Sequence, residues 1–239
     1  MRLGISGTYS SGKTITAMAL SQYTGIPRTR AMTMREILPT AVPGKTLDQV
    51  TAAELLQMIM VRHVDRAIHE SRLWPGFISD GSSLQEWIYG TVRVTVGINP
   101  NDSIQLSDLE AVAKTDEIRF FEEVIGQLGL AMKRHVQGTF DRFVHLPNEL
   151  PLAADGHRPV NERFRSMSDQ MLIRTLTELA IPYRVIGGDL PERLAGIVAE
   201  FRLPTVMSIP EAIARAGTEY AGLDVRDEIE RSAAAGGER

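Results

Sequence analysis

Cysteine is absent from this 239-residue chain. That excludes a disulfide framework, a thiolate nucleophile and a cysteine zinc site. The five histidines show no metal-ligand spacing, so any metal is expected to be magnesium held by oxygen donors. No stretch approaches the roughly 18 consecutive apolar residues of a membrane span, and Met1-Arg2-Leu3-Gly4 runs into an apolar strand pattern rather than a leader, so a cytoplasmic protein with no membrane partner is expected. Excess positive charge is lacking too. The net charge of −4 gives no footprint for duplex nucleic acid or an anionic membrane. Lysine is scarce, with 4 against 22 arginines, so a lone arginine carries little weight and Lys13 stands out.

What is present fits one α/β domain. A hydrophobic content of 43% over this length supports a sizeable core. Apolar runs suited to buried parallel strands occur at Arg2–Ser6, Phe77–Asp80, Arg142–Leu146 and Tyr183–Ile186, with a weaker one near Thr29–Met32. Helical patterns alternate with them: Lys13–Tyr23, ended by Gly25-Ile26-Pro27; Thr51–Arg72, with Thr51 and Glu54 in capping-box spacing; Ser83–Val96; Leu106–Gly138, with a break expected at Gly126 or Gly129; Arg165–Ala180; and Pro191–Phe201. This alternation predicts a parallel sheet covered on both faces. Residues 1–202 form the expected domain, and 203–239 a helical extension with a frayed polar tail.

Between the first strand and its helix, Gly7-Thr8-Tyr9-Ser10-Ser11-Gly12-Lys13-Thr14 fits the phosphate-binding P-loop, G-x-x-x-x-G-K-[ST]. Glycines let successive backbone N–H groups converge on phosphate oxygens, and the helix N-terminus adds partial positive charge. Lys13 is expected to reach the β- and γ-phosphates of ATP, and the Thr14 hydroxyl to ligate Mg2+. A guanine-reading Asn-Lys-x-Asp is lacking: the nearest approach, Ala113-Lys114-Thr115-Asp116, has no Asn. Little chain remains after Phe201 for the helical lid domain and sensor arginines of an oligomeric motor.

Asp80 ends an apolar strand at the edge where such sheets bind ligands. It is a candidate metal ligand and proton acceptor, or else the cap of the following helix. Glu86, Trp87 and Tyr89 lie in the first turns of that helix, where an aromatic ring could stack on a base or simply pack. The turn-rich stretch Asp155–Arg165 carries Arg158, Arg163 and Arg165, either lid arginines stabilising charge on a transferred phosphoryl group or solvated side chains paired with Asp155 and Glu162.

Gly7–Thr14, the strand ending in Asp80, Asp155-Gly156-x-Arg158 with Arg163 and Arg165, and Ile181-Pro182-Tyr183-Arg184-Val185-Ile186-Gly187-Gly188 together resemble the small P-loop kinase-like ATPases grouped with the nicotinamide riboside kinase domain of bacterial NAD regulators. Thymidylate and deoxynucleoside kinases are more distant relatives. The resemblance spans about residues 1–202. It implies a P-loop NTPase fold with a five-stranded parallel sheet and a lid, ATP with Mg2+, and a small phosphate acceptor, often a nucleoside or nucleotide. By position it gives Lys13 and Thr14 the triphosphate and metal, Asp80 the acid, and Arg158, Arg163 or Arg165 the lid. One departure is visible. The more distant kinases follow their strand-end acid with arginine, whereas Gly81 follows Asp80 here.

Candidates to replace that arginine at the acceptor are Arg28, Arg30 and Arg35, after the first helix, and Arg93, farther along the helix that follows Asp80. The expectation is an ATP- and Mg2+-dependent phosphotransferase acting on a nucleoside, a nucleotide or a related metabolite, with a modified base in DNA as a further acceptor and a homodimer as the assembly. The alternative is a nucleotide-binding switch that transfers no phosphate.

Overall fold

The computed structural model describes residues 1–100, 110–152 and 161–222. Four strands form one parallel sheet in the order β2-β1-β3-β4: β1 (Arg2–Ser6), β2 (Phe77–Asp80), β3 (Arg142–His145) and β4 (Tyr183–Val185). The helices are α1 (Lys13–Thr24), α2 (Met34–Ala41), α3 (Ala52–Arg72), α4 (Ser83–Val96), α5 (Asp116–Thr139), α6 (Glu162–Glu178), α7 (Leu190–Phe201) and α8 (Ile209–Ala221), with a short 3-10 turn at Leu47–Gln49.

Side chains alternating along the strands split the core in two. Leu3, Ile5, Ile78 and Val144 pack with Ala17, Met18 and Leu20 of α1, Leu194 and Ile197 of α7, and Ala216 of α8. Phe77 and Phe143 point the other way, into a larger cluster with Met58 and Ile59 of α3, Leu84 and Ile88 of α4, Phe121 and Ile125 of α5, and Phe164 and Leu172 of α6. Burial of both faces explains why the strands read as apolar runs. Among the described residues, no helix is long and apolar enough to cross a membrane.

The five-stranded expectation is corrected to four. Near Thr29 the chain makes a single parallel bridge, Arg28 to Ile78, with Thr29 N donating to Ile78 O at 2.8 Å. Pro27 O accepts from Ile78 N at 2.9 Å, and with no N–H Pro27 carries the ladder no farther toward its N-terminal side. Met32 N donates to the Asp65 carboxylate of α3 instead (3.1 Å), and a Thr33/Glu36 capping box then starts α2. The break expected in α5 is also absent. Gly126 faces open space, and Gly129 lies so close to Trp87 that a β-carbon would come within 2.3 Å of its Nε1. These glycines interrupt nothing: one is a surface position and the other permits a close helix contact.

Candidate functional site

The register aligns Ile5 with Asp80 and Ser6 with His145, so β1, β2 and β3 end level with one another. Whatever follows Ser6, Asp80 and His145 therefore shares one edge of the sheet. There the P-loop turns through positive φ at Gly7 (141°), Ser10 (58°) and Gly12 (85°). A β-carbon on Gly7 would meet Ser11 Oγ at 2.6 Å and Leu146 O at 2.8 Å, so glycine is required there for space as well as conformation. Gly12 precedes α1 without a side-chain cap, and the first turn of α1 holds no acidic residue. Its leading N–H groups and dipole are thus directed at an anion.

The loop is held from several sides. Ser11 Oγ (3.0 Å) and Lys13 Nζ (2.5 Å) both donate to Thr8 O. Thr8 Oγ1 donates to Asn148 Oδ1 at 2.6 Å, tying the loop to the segment after β3. From α7, buried Arg193 donates through Nη1 to Ser11 O (2.7 Å) and pairs through Nη2 with Glu149 Oε2 (3.1 Å), which also accepts from Gly188 N (2.9 Å). Nothing in the motif announced Arg193. Half-buried Thr14 in the first turn of α1 and Asp80 at the end of β2 supply oxygen donors at the same edge, the chemistry magnesium prefers.

Asp80 is not the cap of α4. Ser82 and Gln85 form that capping box, with Gln85 Oε1 accepting from Ser82 N at 2.7 Å, so the Asp80 carboxylate is not engaged in capping. Behind it lies an arginine pair supplied by α3. Arg66, 1% exposed, donates through Nη1 to Ser79 Oγ (3.1 Å) and Asp80 O (3.0 Å) and faces Glu86 through Nη2 (3.5 Å). Arg62 Nε lies 3.1 Å from the same Glu86 oxygen. Burial opposes the charge on Arg62, but Glu86 and Asp80 outweigh it and lift its pKa above the ordinary arginine value. Glu86 is therefore consumed in neutralising arginines.

Beside the P-loop three rings meet. Tyr9 stacks on Tyr89 at 4.5 Å and 18°, and Phe164 of α6 lies 5.8 Å from both. Arg93 covers Phe164 at 5.4 Å and donates through Nε to Ile98 O at 2.8 Å. Burial raises the pKa of the Tyr9 hydroxyl, opposed by Arg93, which also hydrogen-bonds it. Tyr89 is raised further, by burial and then by Tyr9 and Glu86. Trp87 turns away, packing on Gly129 with Lys133 Nζ 4.2 Å from its ring centroid.

The arginines of the sequence reading divide in the same way. Arg163 is half-buried in the first turn of α6. Arg165 is buried and donates to Leu150 O at 2.7 Å, tying α6 to the segment after β3 instead of standing on a flap. Arg158 lies outside the described residues. Arg28 pairs with Glu219 of α8 at 2.5 Å, Arg30 is exposed, and Arg35 is half-buried in the first turn of α2. The structure thus brings the P-loop, Asp80, Tyr89 and Arg93 together. Arg62, Arg66, Phe164, Arg193 and Asn148 complete the surroundings without having been anticipated.

A family model described as an AAA domain matches residues 2–193. The chain belongs to this AAA domain family. The match runs from β1 into α7 and so takes in the P-loop, Asp80, Phe164 and Arg193. No curated protein matches the sequence. Among solved structures, the fold is similar to that of deoxyadenosine kinase from M. mycoides. With dATP bound, that structure gives a TM-score of 0.57 at 13% identity, covering 84% of this chain and 100% of that one. The dCTP-bound form gives 0.55 at 14%, and the form with the products dCMP and a flexible dCDP gives 0.53 at 13%, each covering 84% of this chain and 99% of that one. At such identities the likeness shows a shared fold, here a parallel sheet flanked by helices with a P-loop at its edge. The AAA domain is thus a nucleotide-binding P-loop unit with a kinase-like fold.

Proposed function

We propose that the chain is an ATP-dependent phosphotransferase whose acceptor is a nucleoside, a nucleotide or a related small metabolite. The observation that carries this reading is the second site beside the P-loop: a strand-end carboxylate, Asp80, left out of helix capping and close enough to Tyr89 and Arg62 to act on both, with Tyr9 stacked on Tyr89 and Arg93 bonded to Tyr9. A phosphate switch needs the loop; an acceptor needs the neighbouring site as well. Deoxyadenosine kinase, with a similar fold, supports the choice of a nucleoside-like acceptor. A nicotinamide riboside-like acceptor and a modified base in DNA belong to the same chemical range.

In this reading the triphosphate lies on the P-loop backbone and the N-terminus of α1, and Lys13 leaves Thr8 O to meet the β- and γ-phosphates. Mg2+, held by the Thr14 hydroxyl and Asp80, would supply neutralising positive charge for the phosphates. The acceptor hydroxyl loses its proton to Asp80 as its oxygen bonds the γ-phosphorus. The bond from that phosphorus to the bridging oxygen breaks, and ADP leaves with the electron pair. Positioning and electrostatics supply most of the rate, with Arg163 proposed, and Arg158 as a further candidate, to stabilise charge on the transferred group. ATP turnover against a panel of nucleosides, nucleoside monophosphates and modified-base substrates, with products identified by mass, tests this. Lys13→Ala is expected to lower transfer by at least about 100-fold. Equal turnover in that variant would refute the P-loop assignment.

A further inference from the structure

The acceptor site holds more cationic charge than its own carboxylates balance. Three guanidiniums, Arg62, Arg66 and Arg93, surround the region of Tyr9, Tyr89 and Asp80, against the carboxylates of Asp80 and Glu86. Glu86 is taken up by Arg62 and Arg66. Arg66 is buried and committed to Ser79 and Asp80 O as well. Arg62 presents only one side to Glu86, and its side chain is 21% exposed. Arg93 meets a carbonyl, a phenol and an aromatic face, and among the described residues no carboxylate pairs with it. Glu86, Tyr89 and Arg93 recur at helical spacing along one face of α4, and Arg62 of α3 meets that face at Glu86; both arginines oppose the pKa rise of the Tyr9 hydroxyl. Next to it the Tyr89 hydroxyl is buried, in a residue 9% exposed, without a hydrogen-bond partner among the described residues.

We infer that Arg62 and Arg93 read an anionic group on the acceptor, and that this group is a phosphate monoester, so that the substrate is a nucleoside monophosphate rather than a nucleoside. The inference rests on the phosphotransferase reading and names its substrate class. Arg93 is half-buried, and a neutral acceptor covering it would remove water from the charge without supplying a counter-charge, which is costly. A planar carboxylate matches a single guanidinium fork. A phosphate monoester carries up to two negative charges and three terminal oxygens, and so accepts from two forks on different helices and from a tyrosine O–H. Arg62 comes from α3 and Arg93 from α4. They thereby supply the positive charge that Gly81, following Asp80, does not.

The test uses the full chain with a non-hydrolysable ATP analogue and Mg2+, titrated with AMP, dCMP and dTMP and with the corresponding nucleosides. Monophosphates are expected to bind at least about 10-fold more tightly than their nucleosides, and Arg93→Met to weaken them by about 10- to 100-fold with little effect on nucleosides. Arg93→Lys should fall between the two, because charge remains and the fork is lost. Arg62→Met, at a partly exposed position, gives a second variant if Arg93→Met loses its thermal unfolding transition. Nucleosides binding as well as monophosphates, both classes weakened equally, or neither class binding would each overturn the inference. The phosphotransferase reading fails separately, if the wild-type chain transfers phosphate to no acceptor; monophosphate binding sensitive to Arg93 would still uphold the anion subsite.

Discussion

Glu54 shows how much a single side chain can be asked to hold. It closes the capping box with Thr51 and receives Lys45 Nζ at 2.7 and 2.8 Å. The Lys45 hydrogen bond first, and the Thr51 bonds after it, pull its pKa from the ordinary 4.5 down to about 2. A carboxylate lowered on folding binds fewer protons folded than unfolded between those values. Its contribution is therefore complete above pH ~4.5 and disappears as pH falls to about 2. Glu54→Gln should accordingly lower the denaturant midpoint at pH 7, and the difference from wild type should vanish near pH 2. A constant difference across that range would show that the cap and ion pair do not set the effect.

Helix α5 distinguishes two glycines that look alike in sequence. Gly129→Ala places a methyl against the Trp87 ring, which Lys133 of the same helix also covers, and overpacking should destabilise the chain by about 1–3 kcal/mol despite better helix propensity. Gly126→Ala meets nothing within 4 Å and should stabilise by about 0.5–1 kcal/mol. Thermal unfolding of the two variants decides, and shifts of the same sign would contradict the packing. The pair also marks what was legible before the fold was known. The P-loop was readable because backbone phosphate binding needs consecutive residues of fixed type, and the strands because a doubly covered parallel sheet leaves apolar runs. Arg62 and Arg66 were not: a long helix carries charge on several stripes, and only α4 packing beside α3 shows which arginines turn inward. The fifth strand failed because Met32 N turns to Asp65 of α3, a contact outside strand periodicity that leads the chain off the sheet edge after the bridge at Arg28.

Across the whole molecule, the last described helix is part of the core. Ala212 and Ala216 of α8 are fully buried, Val206 N donates to Tyr23 O at 2.9 Å, and Glu219 reaches back to Arg28. A division at residue 202 is thus a division of sequence across a packed face of α1. A chain ending after Phe201 should lose at least about 5 °C in thermal midpoint; an unchanged midpoint would show α8 to be dispensable. Both sheet faces converge on the edge that carries the loop: α7 clamps it through Arg193, and α4 and α6 press their rings against Tyr9. That convergence is the basis for reading two adjacent sites, one for a nucleotide and one for an acceptor. The central test is transfer of the ATP γ-phosphate to a small molecule by wild type and Asp80→Asn, measured alongside ATP affinity. The account predicts a phosphorylated product from the wild-type chain and, in the variant, a rate lower by at least about 100-fold with affinity for ATP in the absence of Mg2+ within about threefold. Tight ATP binding by the wild type with no product from any acceptor would contradict it.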